Sequence, residues 1–552
     1  MTQSGRVVVA GAGLAGFRTV EELRERGFAG PVTLIGAEPR PPYDRPPLSK
    51  KFMAEPGLDP SLKADFAALD VDFRPDEAAT GLGDDLVTSR GAYPFDHLVL
   101  ATGSLPVALP GDGRQRFLRT YDDALALRDL LRAGQRRKTQ GRKTLRLAIV
   151  GAGWIGAELA TAAVAYGSQV TVVEAGPAPL AAAIGAPVGA QTARWYAAAG
   201  VDLRVATAVE AVRPGGLALA GGGQVEADEV VTAVGVRPAT GWLDGSGVRL
   251  ENGVAVDAGL RTSRPGVYAA GDCAAFESRR FGRRLRVEHW DVALKMPEVA
   301  AANILGGAEA YDPVPYFWSE QFGRMVQYVG YHGGAESLLW RGDPAEPTWS
   351  ACWLAGGRLV AMLTVDRPRD MLQARRLIAA AHPVDVSRLT DPAVPVREAA
   401  VALGQEQQMQ SIAADRSLTG CLGARPTWDI GLVAQIDPTT DALVGEWLSL
   451  PDVAGQLGIP AGRVKQLLRD RKLLAVTRPE GVVAVPAAFL DGPQIVKGLC
   501  GTLTLLFDCG FDELEALRWL FTEDESLPGT PIDAIARHRG TEVNRRAQAL
   551  AF

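Results

Sequence analysis

The sequence predicts an α/β protein of several domains. It has two Rossmann-like units, an α+β third domain and an appended, mostly α winged helix-turn-helix-like domain. Three observations carry that expectation. A strand, glycine motif, helix and second strand recur twice, around GAGLAG at Gly11–Gly16 and GAGWIG at Gly151–Gly156. Alternating apolar runs such as Met325 to Val329 and Leu359 to Thr364 follow Pro313 and suggest an antiparallel sheet. A short helix, a tight break and a basic helix follow Ser449. At 552 residues the chain is too long for one core, and three to four domains are expected.

Taken in order, Arg6 to Ala10 is a short β-branched strand, and helical spacing runs from Phe17 to Arg26. Pro31 to Gly36 (PVTLIG) closes the unit as the next strand. In such a unit Gly11 allows the tight turn, Gly13 lets the backbone approach a pyrophosphate, and Gly16 lets helix and strand pack closely. The helix N-terminus at Leu14 and Ala15 then faces the negative charge. Glu38 stands close to the distance expected for a partner of a ribose hydroxyl. Arg40 to Lys50 reads RPPYDRPPLSK. Its prolines flank Tyr43, Asp44 and Arg45 and fix φ at about −65°, so Arg45 and Lys50 are held at little entropic cost.

The unit repeats with Leu145 to Val150 as strand, Gly151, Gly153, Ile155 and Gly156 in the turn, and Gln169 to Glu174 (QVTVVE) as the second strand. One such motif is weak; two, each between strand and helix and each followed by an acid, are strong. Glu174 suits a free ribose 2′-hydroxyl and repels a 2′-phosphate, and Ala175, Gly176 and Pro177 offer no arginine to neutralise one. That favours NADH over NADPH. The strands LVLATG (Leu98 to Gly103, with Thr102) and VVTAVG (Val230 to Gly235) follow the two motifs at comparable distances. GVYAAGDC then places Asp272 after a glycine at a strand end, where an acid suits a sugar-alcohol hydroxyl.

Bulk properties exclude several classes. A net charge of −6 is mild for this size and argues against a general nucleic-acid-binding surface, though not against one basic module. No apolar run approaches the roughly 18 residues that span a bilayer. Five cysteines exclude a disulfide scaffold and suit a reducing cytoplasm. None precedes Cys273, so a paired-thiol relay in the first domain is excluded; Cys273 itself reads as a packed small residue.

The motifs GAGLAG, RPPYDRPPLSK, ATGS, FLRT, GAGWIGAELA, VGVRPAT, GVYAAGDC, VEHWDVA and PYFWSEQFG together resemble the FAD-dependent, NADH-linked ferredoxin reductases. These are reductase components of bacterial oxygenase and cytochrome P450 systems, in the pyridine nucleotide-disulphide oxidoreductase superfamily and of glutathione-reductase type. The resemblance runs from about Arg6 to about Ala402. It implies that residues 1–120 and 241–312 form a discontinuous FAD domain, 121–240 an NAD domain and 313–403 an interface domain. It implies FAD contacts from Gly11 to Gly16, Arg45, Lys50, Thr102, Gly103, Arg119 and Asp272, with Trp290 against the flavin. Trp318 is expected near both flavin and nicotinamide. Glu158 is expected at the nicotinamide and paired with Lys50, and these two are the candidate catalytic residues. Gly235 belongs to the expected NAD set. The family's usual acid at position 37 is Ala37 here, which leaves Glu38 to substitute. The implied reaction carries electrons from NADH through FAD, one at a time, to a [2Fe–2S] ferredoxin-type partner. An NADH oxidase, or a reductase of another acceptor, is the alternative enzyme. The protein is expected as a monomer or homodimer.

Arg279, Arg280, Arg283, Arg284 and Arg286 read either as a docking patch for an acidic ferredoxin or as a solvated hairpin. Arg136 to Lys143 reads as a flexible loop. Residues 404–446 read as a linker with some ordered turns. In the module 447–552, Ser449 caps a helix, Gly458 to Pro460 breaks it, and Ala461 to Lys472 forms a second helix carrying Arg463, Lys465, Arg469, Arg471 and Lys472. Leu474 to Val485 reads as a hairpin. That order is a winged helix-turn-helix, whose second helix enters the major groove of duplex DNA; a protein-binding module with a solvated basic helix is the alternative. With IVKGLCGTLTLLFDCGF, LRWLFTEDESL, PIDAIARH and EVNRRAQALAF between Pro493 and Phe552, the stretch from about Trp447 on resembles a small family of bacterial helix-turn-helix DNA-binding proteins. Cys500 and Cys509, nine apart, fall on opposite faces of one helix and cannot chelate one metal. A flavin-based, redox-sensing DNA-binding regulator is the second reading of the whole chain.

Overall fold

The structure, a computed structural model, describes residues 5–401 except 56, and most of 436–547. Its contacts divide the chain into two compact units, Met1–Ala402 and Leu403–Phe552. The first unit holds two parallel sheets. Strands Val267–Ala269, His97–Leu100, Val7–Ala10, Val32–Ile35 and Val71–Arg74 lie side by side in that order. Val7, Val8, Val9 and Ala10 at the centre are fully buried, as a strand covered on both faces requires. Each such valine contributes about 1.5–3 kcal/mol on burial. The strand at 267–269 joins a sheet begun at residue 7, so the chain leaves this layer and returns to it.

The excursion forms the second sheet, with Asp202–Arg204, Gln169–Val173, Arg146–Val150 and Glu229–Thr232 in that order, all parallel. The connections out and back, Ser104–Pro106 and Val236–Pro238, pair antiparallel with each other. A long helix, Tyr121–Thr139, opens this part. Thr120 and Asp123 form its capping box, and Arg136, Arg137 and Lys138 sit in its last turn, where cations favour the helix dipole. The loop expected from Arg136 is therefore helical as far as Thr139.

The third layer is a five-stranded antiparallel sheet in the order Tyr316–Gln321, Arg324–Gly330, Arg358–Val365, Trp349–Ala355, Ser337–Arg341. The expected antiparallel runs pair directly, with Val326 opposite Val365 and Val329 opposite Met362. Helix Pro368–Ala380 follows. Trp195 and Val188, from helix Ala186–Ala198, share one apolar core with Val326, Trp349 and Leu363 of this sheet. Tyr43 and Leu48 of the proline-rich stretch, with Phe52 just after it, share another with Ile149 and Ala157 of the second nucleotide-binding unit. Both packings draw the proline loop and the third sheet onto the glycine-motif helix at 154–165.

The second unit is a winged helix-turn-helix. Ser449 caps helix Leu450–Leu457, with Asp452 completing the capping box, and Gly458 ends it at φ +64°. Helix Ala461–Arg469 follows, and strands Trp447–Ser449, Val483–Pro486 and Val476–Thr477 form the wing sheet in that order. The basic helix is thus described to Arg469; Asp470 and Arg471 lie outside the described residues, and Lys472 follows them. Helices Leu499–Asp508, Glu513–Phe521 and Pro531–Ala536 complete the unit. Cys500 lies on the first of these, and Cys509 falls outside the described residues, so the expectation for that pair stays with the sequence. Most of the expected linker also lies outside them. Its end does not: Pro438–Val444 is a helix capped by Asp437. Asp441 pairs with Arg478 at 2.9 Å and Asp437 with Arg518 at 2.9 Å, so folded structure begins before Trp447.

Candidate functional site

The two glycine motifs have the same geometry. Gly11 and Gly151 adopt φ of +116° and +101°, and a Cβ there would meet the carbonyl oxygens of Ala101 and Ala233 at 2.2 and 2.4 Å. Gly16 and Gly156 pack so closely that a Cβ would lie 1.8 and 2.0 Å from the oxygens of Gly11 and Gly151. Gly13 and Gly153 differ: nothing lies within 4 Å of where their Cβ atoms would be. These two cap helices Leu14–Glu25 and Trp154–Ala165, and neither cap has a side-chain hydrogen bond or an acid in the first turn. The result is a pair of open helix N-termini, each able to take an anion.

Around the first cradle stand two guanidinium groups. Arg119 Nη2 and Arg45 Nη1 lie 3.6 and 4.0 Å from the Cβ position of Gly103, itself at φ +69°. Arg119 pairs with Asp272 at 2.8 Å and donates from Nε to the Ser104 carbonyl at 3.1 Å. Burial, and then the like charge of Arg45, pull the Arg119 guanidinium below its ordinary range. Arg45 pairs with Glu38 at 3.1 Å, and Glu38 also accepts from Tyr43 Oη at 2.7 Å. Two neighbouring cations beside an open helix N-terminus fit the pyrophosphate of FAD. Thr102 donates to the Ala239 carbonyl at 2.8 Å and so ties the turn to the returning chain.

At the second cradle Glu174 follows strand Gln169–Val173, and its two oxygens accept from Ala152 N and Gly176 N at 2.7 Å each. Ile155 and Val234, both apolar and exposed, flank this turn, with Gly235 next at φ +108°. Exposed apolar side chains beside an open helix N-terminus fit the rings and phosphates of a dinucleotide.

The two nucleotide-binding units of the first compact unit meet at Glu158, on the second glycine-motif helix and only 3% exposed. Its Oε2 accepts from Lys50 Nζ at 2.9 Å and from Ser49 Oγ. Its Oε1 accepts from Ser319 Oγ at 2.6 Å. Ser49 and Ser319 are not among the residues the sequence reading selects. The available signal was their place inside two of the quoted motifs, RPPYDRPPLSK and PYFWSEQFG.

Aromatic groups line the same region. Trp290 opens helix Trp290–Ile304 and donates from Nε1 to Asp44 Oδ1 at 2.7 Å. Burial raises the Asp44 carboxyl above the usual range against this hydrogen bond. Trp318 lies edge-on to Trp290, their ring centres 5.9 Å apart. Trp154 meets Phe317 edge-on at 4.3 Å, and Phe317 lies against His289 at 4.5 Å. Burial pushes the His289 imidazole down to about 4, which keeps it neutral at physiological pH. Tyr43, Asp44 and His289 are further site residues that the sequence reading did not select.

Two further groups of residues from the sequence have a definite place in the fold. The arginines from 279 to 286 lie on and around the hairpin Ala274–Ser278 and Arg283–Leu285. Arg280 donates to the Ala379 carbonyl, Arg284 pairs with Glu251 and Glu277, and Arg286 pairs with Glu288. Arg283 stacks on Tyr331, and of the five only Arg279, Arg280 and Arg283 are exposed. The stretch is therefore a hairpin in which Arg284 and Arg286 are paired with carboxylates and three arginines stay exposed. Cys273 is fully buried, and burial raises its thiol, which suits packing and not redox exchange.

In the second unit, Arg463 and Lys465 are exposed on either side of buried Val464 in helix Ala461–Arg469, and Lys472 is exposed beyond it. Arg469 ends the helix.

Comparison with known proteins agrees with this division. Residues 5–296 match the family described as pyridine nucleotide-disulphide oxidoreductase, and 316–400 match "reductase C-terminal". Residues 435–490 match "DNA-binding protein Rv2175c, wHTH domain", and 496–551 the Rv2175c C-terminal domain of unknown function. The anthranilate 1,2-dioxygenase system ferredoxin–NAD(+) reductase component of Burkholderia cepacia is 37% identical over 415 residues, which are 71% of this chain and 98% of that one. Putidaredoxin reductase CamA of Pseudomonas putida is 31% identical, over 74% of this chain and 99% of its own. Among solved structures, Fdr9 is 47% identical with a TM-score of 0.67, covering 71% of this chain and 99% of its own. The covalent putidaredoxin reductase–putidaredoxin complex is 29% identical, also with a TM-score of 0.67, over 75% and 99%.

Proposed function

The chain belongs to the pyridine nucleotide-disulphide oxidoreductase family, and from that premise we infer that it is an FAD-dependent NADH:ferredoxin reductase. Its electrons go to a [2Fe–2S] ferredoxin-type partner of an oxygenase or cytochrome P450 system. The observation that carries this is Glu158, where Lys50 of the first nucleotide-binding unit meets the helix of the second. Bound FAD supplies two-electron acceptance from a nicotinamide and one-electron delivery to an iron–sulfur centre. The chain's own residues do the rest. Arg45, Arg119 and the helix N-terminus at Gly13 hold the FAD pyrophosphate, and Asp272 fixes Arg119. Gly153 and Glu174 hold NADH, and Trp290 and Trp318 bound the ring site. No cysteine precedes Cys273, so electrons do not pass through a thiol pair of the first domain. The test is ferredoxin-dependent oxidation of NADH by the purified, FAD-loaded chain.

Glu174 sets the nucleotide preference. Glu174→Gln keeps one acceptor for the backbone amides but removes the charge that binds a ribose diol and repels a 2′-phosphate. Its kcat/KM for NADH is expected to fall about tenfold, roughly the worth of one charge-assisted hydrogen bond. The ratio of NADH to NADPH activity narrows with it. An unchanged ratio in steady-state assays with both nucleotides would remove Glu174 from this role.

The C-terminal unit carries a DNA-binding wHTH domain, and its exposed Arg463, Lys465 and Lys472 support contact with duplex phosphates. Arg463→Ala with Lys465→Ala is expected to weaken duplex binding and to lower the slope of log affinity against log salt by about 2, near 0.9 per phosphate contact. Fluorescence anisotropy across a salt series measures it; a slope unchanged from wild type would place the DNA surface elsewhere.

A further inference from the structure

We propose that Ser319, seconded by Ser49, is a positioning residue for the nicotinamide–flavin exchange site: it fixes the carboxylate of Glu158 and, through it, the ammonium of Lys50. The inference rests on the reductase reading above and extends its site to the third sheet.

Ser319 is completely buried on strand Tyr316–Gln321, one residue from Trp318. Its hydroxyl has a fixed assignment. A carboxylate only accepts, so Ser319 Oγ donates its single hydrogen to Glu158 Oε1 at 2.6 Å. Gln321 Nε2 then donates to the same Oγ at 3.1 Å, and Gln321 is itself completely buried. A hydroxyl held from both sides has one orientation. The other carboxylate oxygen is held by Ser49, 5% exposed, and by Lys50.

The three donors come from two places in the sequence and the acceptor from a third. Ser49 and Lys50 close the proline-rich stretch, Glu158 lies two residues past Gly156, and Ser319 stands 161 residues further on. The third sheet thus does more than cover the site. It supplies the hydrogen bond that sets one end of a carboxylate whose other end orients Lys50. Thr161, on the same helix as Glu158, accepts from Phe322 N at 3.0 Å, which fixes helix and strand in register at this point. Removing the Ser319 hydroxyl leaves that register in place and frees the carboxylate together with the buried Gln321 amide, so the effect on rate falls on the placement of Glu158 and Lys50 and a smaller effect falls on stability. Misplacement of about 1 Å in such a group costs on the order of 100-fold in rate, and loss of one of three donors is expected to cost less.

The test uses the full chain loaded with FAD, in wild type, Ser319→Ala and Ser319→Thr. Rapid mixing with NADH separates nucleotide affinity from the limiting rate of flavin bleaching, and dye equilibration gives the midpoint potential of the bound flavin. Ser319→Ala is expected to keep wild-type FAD content and to melt somewhat below wild type, because the buried Gln321 amide loses its acceptor. Its limiting rate falls about tenfold, its flavin potential shifts, and its affinity for NADH changes little. Ser319→Thr, which keeps the hydroxyl, returns rate and potential to within about twofold of wild type. A limiting rate and potential in Ser319→Ala equal to wild type overturn the proposal. So does a defect that threonine repeats in full. If Ser319→Ala does not accumulate folded, Ser49→Ala carries the same expectation and the same contrary result. Wild type that NADH fails to reduce would overturn the reductase reading itself, an outcome distinct from a wild type that is reduced and a variant that matches it.

Discussion

Replacing Glu158 with alanine is expected to slow reduction of the bound flavin by NADH about 100-fold, the loss typical when a group at the reacting centre is misplaced by roughly 1 Å. Lys50, Ser49 and Ser319 all direct donors at this carboxylate, which is 3% exposed. Without it Lys50 keeps only a 3.4 Å contact to the Pro46 carbonyl. Breaking a buried pair by removing one partner costs about 3–5 kcal/mol, because a charge is left unpaired. The Lys50 side chain is 13% exposed and can draw some water, so the lower end, about 3 kcal/mol, is expected in denaturant unfolding. Glu158→Gln keeps the shape and one acceptor, and its rate should fall nearer tenfold. Rapid-mixing traces of flavin absorbance decide it. Wild-type rates in both variants would take Glu158 out of the exchange site.

Alanine at Gly11 and at Gly13 should part company. At Gly11 the backbone has φ +116°, and a Cβ would sit 2.2 Å from the Ala101 oxygen and 2.5 Å from its carbon. Both are backbone atoms just past the neighbouring strand His97–Leu100 and cannot turn aside. Gly11→Ala is therefore expected to lose more than about 4 kcal/mol and to accumulate little folded protein. At Gly13 φ is an ordinary −79° and a Cβ meets nothing within 4 Å. Gly13→Ala should fold with the melting temperature of FAD-free wild type and fail to retain FAD, because the methyl group fills space reserved for the pyrophosphate. Melting curves and flavin content of the two variants measure the contrast. A Gly13→Ala protein with full flavin would mean that FAD does not lie on this helix terminus.

That contrast also explains why the glycine motifs were readable in the sequence. Glycine at positions 11, 16, 151 and 156 is enforced by backbone contacts under 2.5 Å, so no other residue can stand there. The α/β class, the family and the winged helix-turn-helix followed from such local constraints. What escaped was long-range or hidden by composition. Ser49 and Ser319 reach Glu158 across 109 and 161 residues, and nothing local marks a serine for that. The partners of Arg284 and Arg280, Glu251 and the Ala379 carbonyl, likewise lie far away in sequence. Arg136 to Lys138 looked like a loop by charge alone, although cations are favoured in a helix's last turn. Helix Pro438–Val444 lay concealed in a polar stretch, although an Asp cap followed by Pro is a start signal.

The measurement that bears most directly on the central claim is an anaerobic titration of the FAD-loaded chain with NADH, followed by oxidised [2Fe–2S] ferredoxin. The expected result is loss of the oxidised flavin absorbance at about one equivalent of NADH, as a two-electron transfer to one flavin requires, and its return as about two equivalents of ferredoxin are reduced. A chain that binds no FAD, or whose bound flavin NADH leaves oxidised, would contradict it.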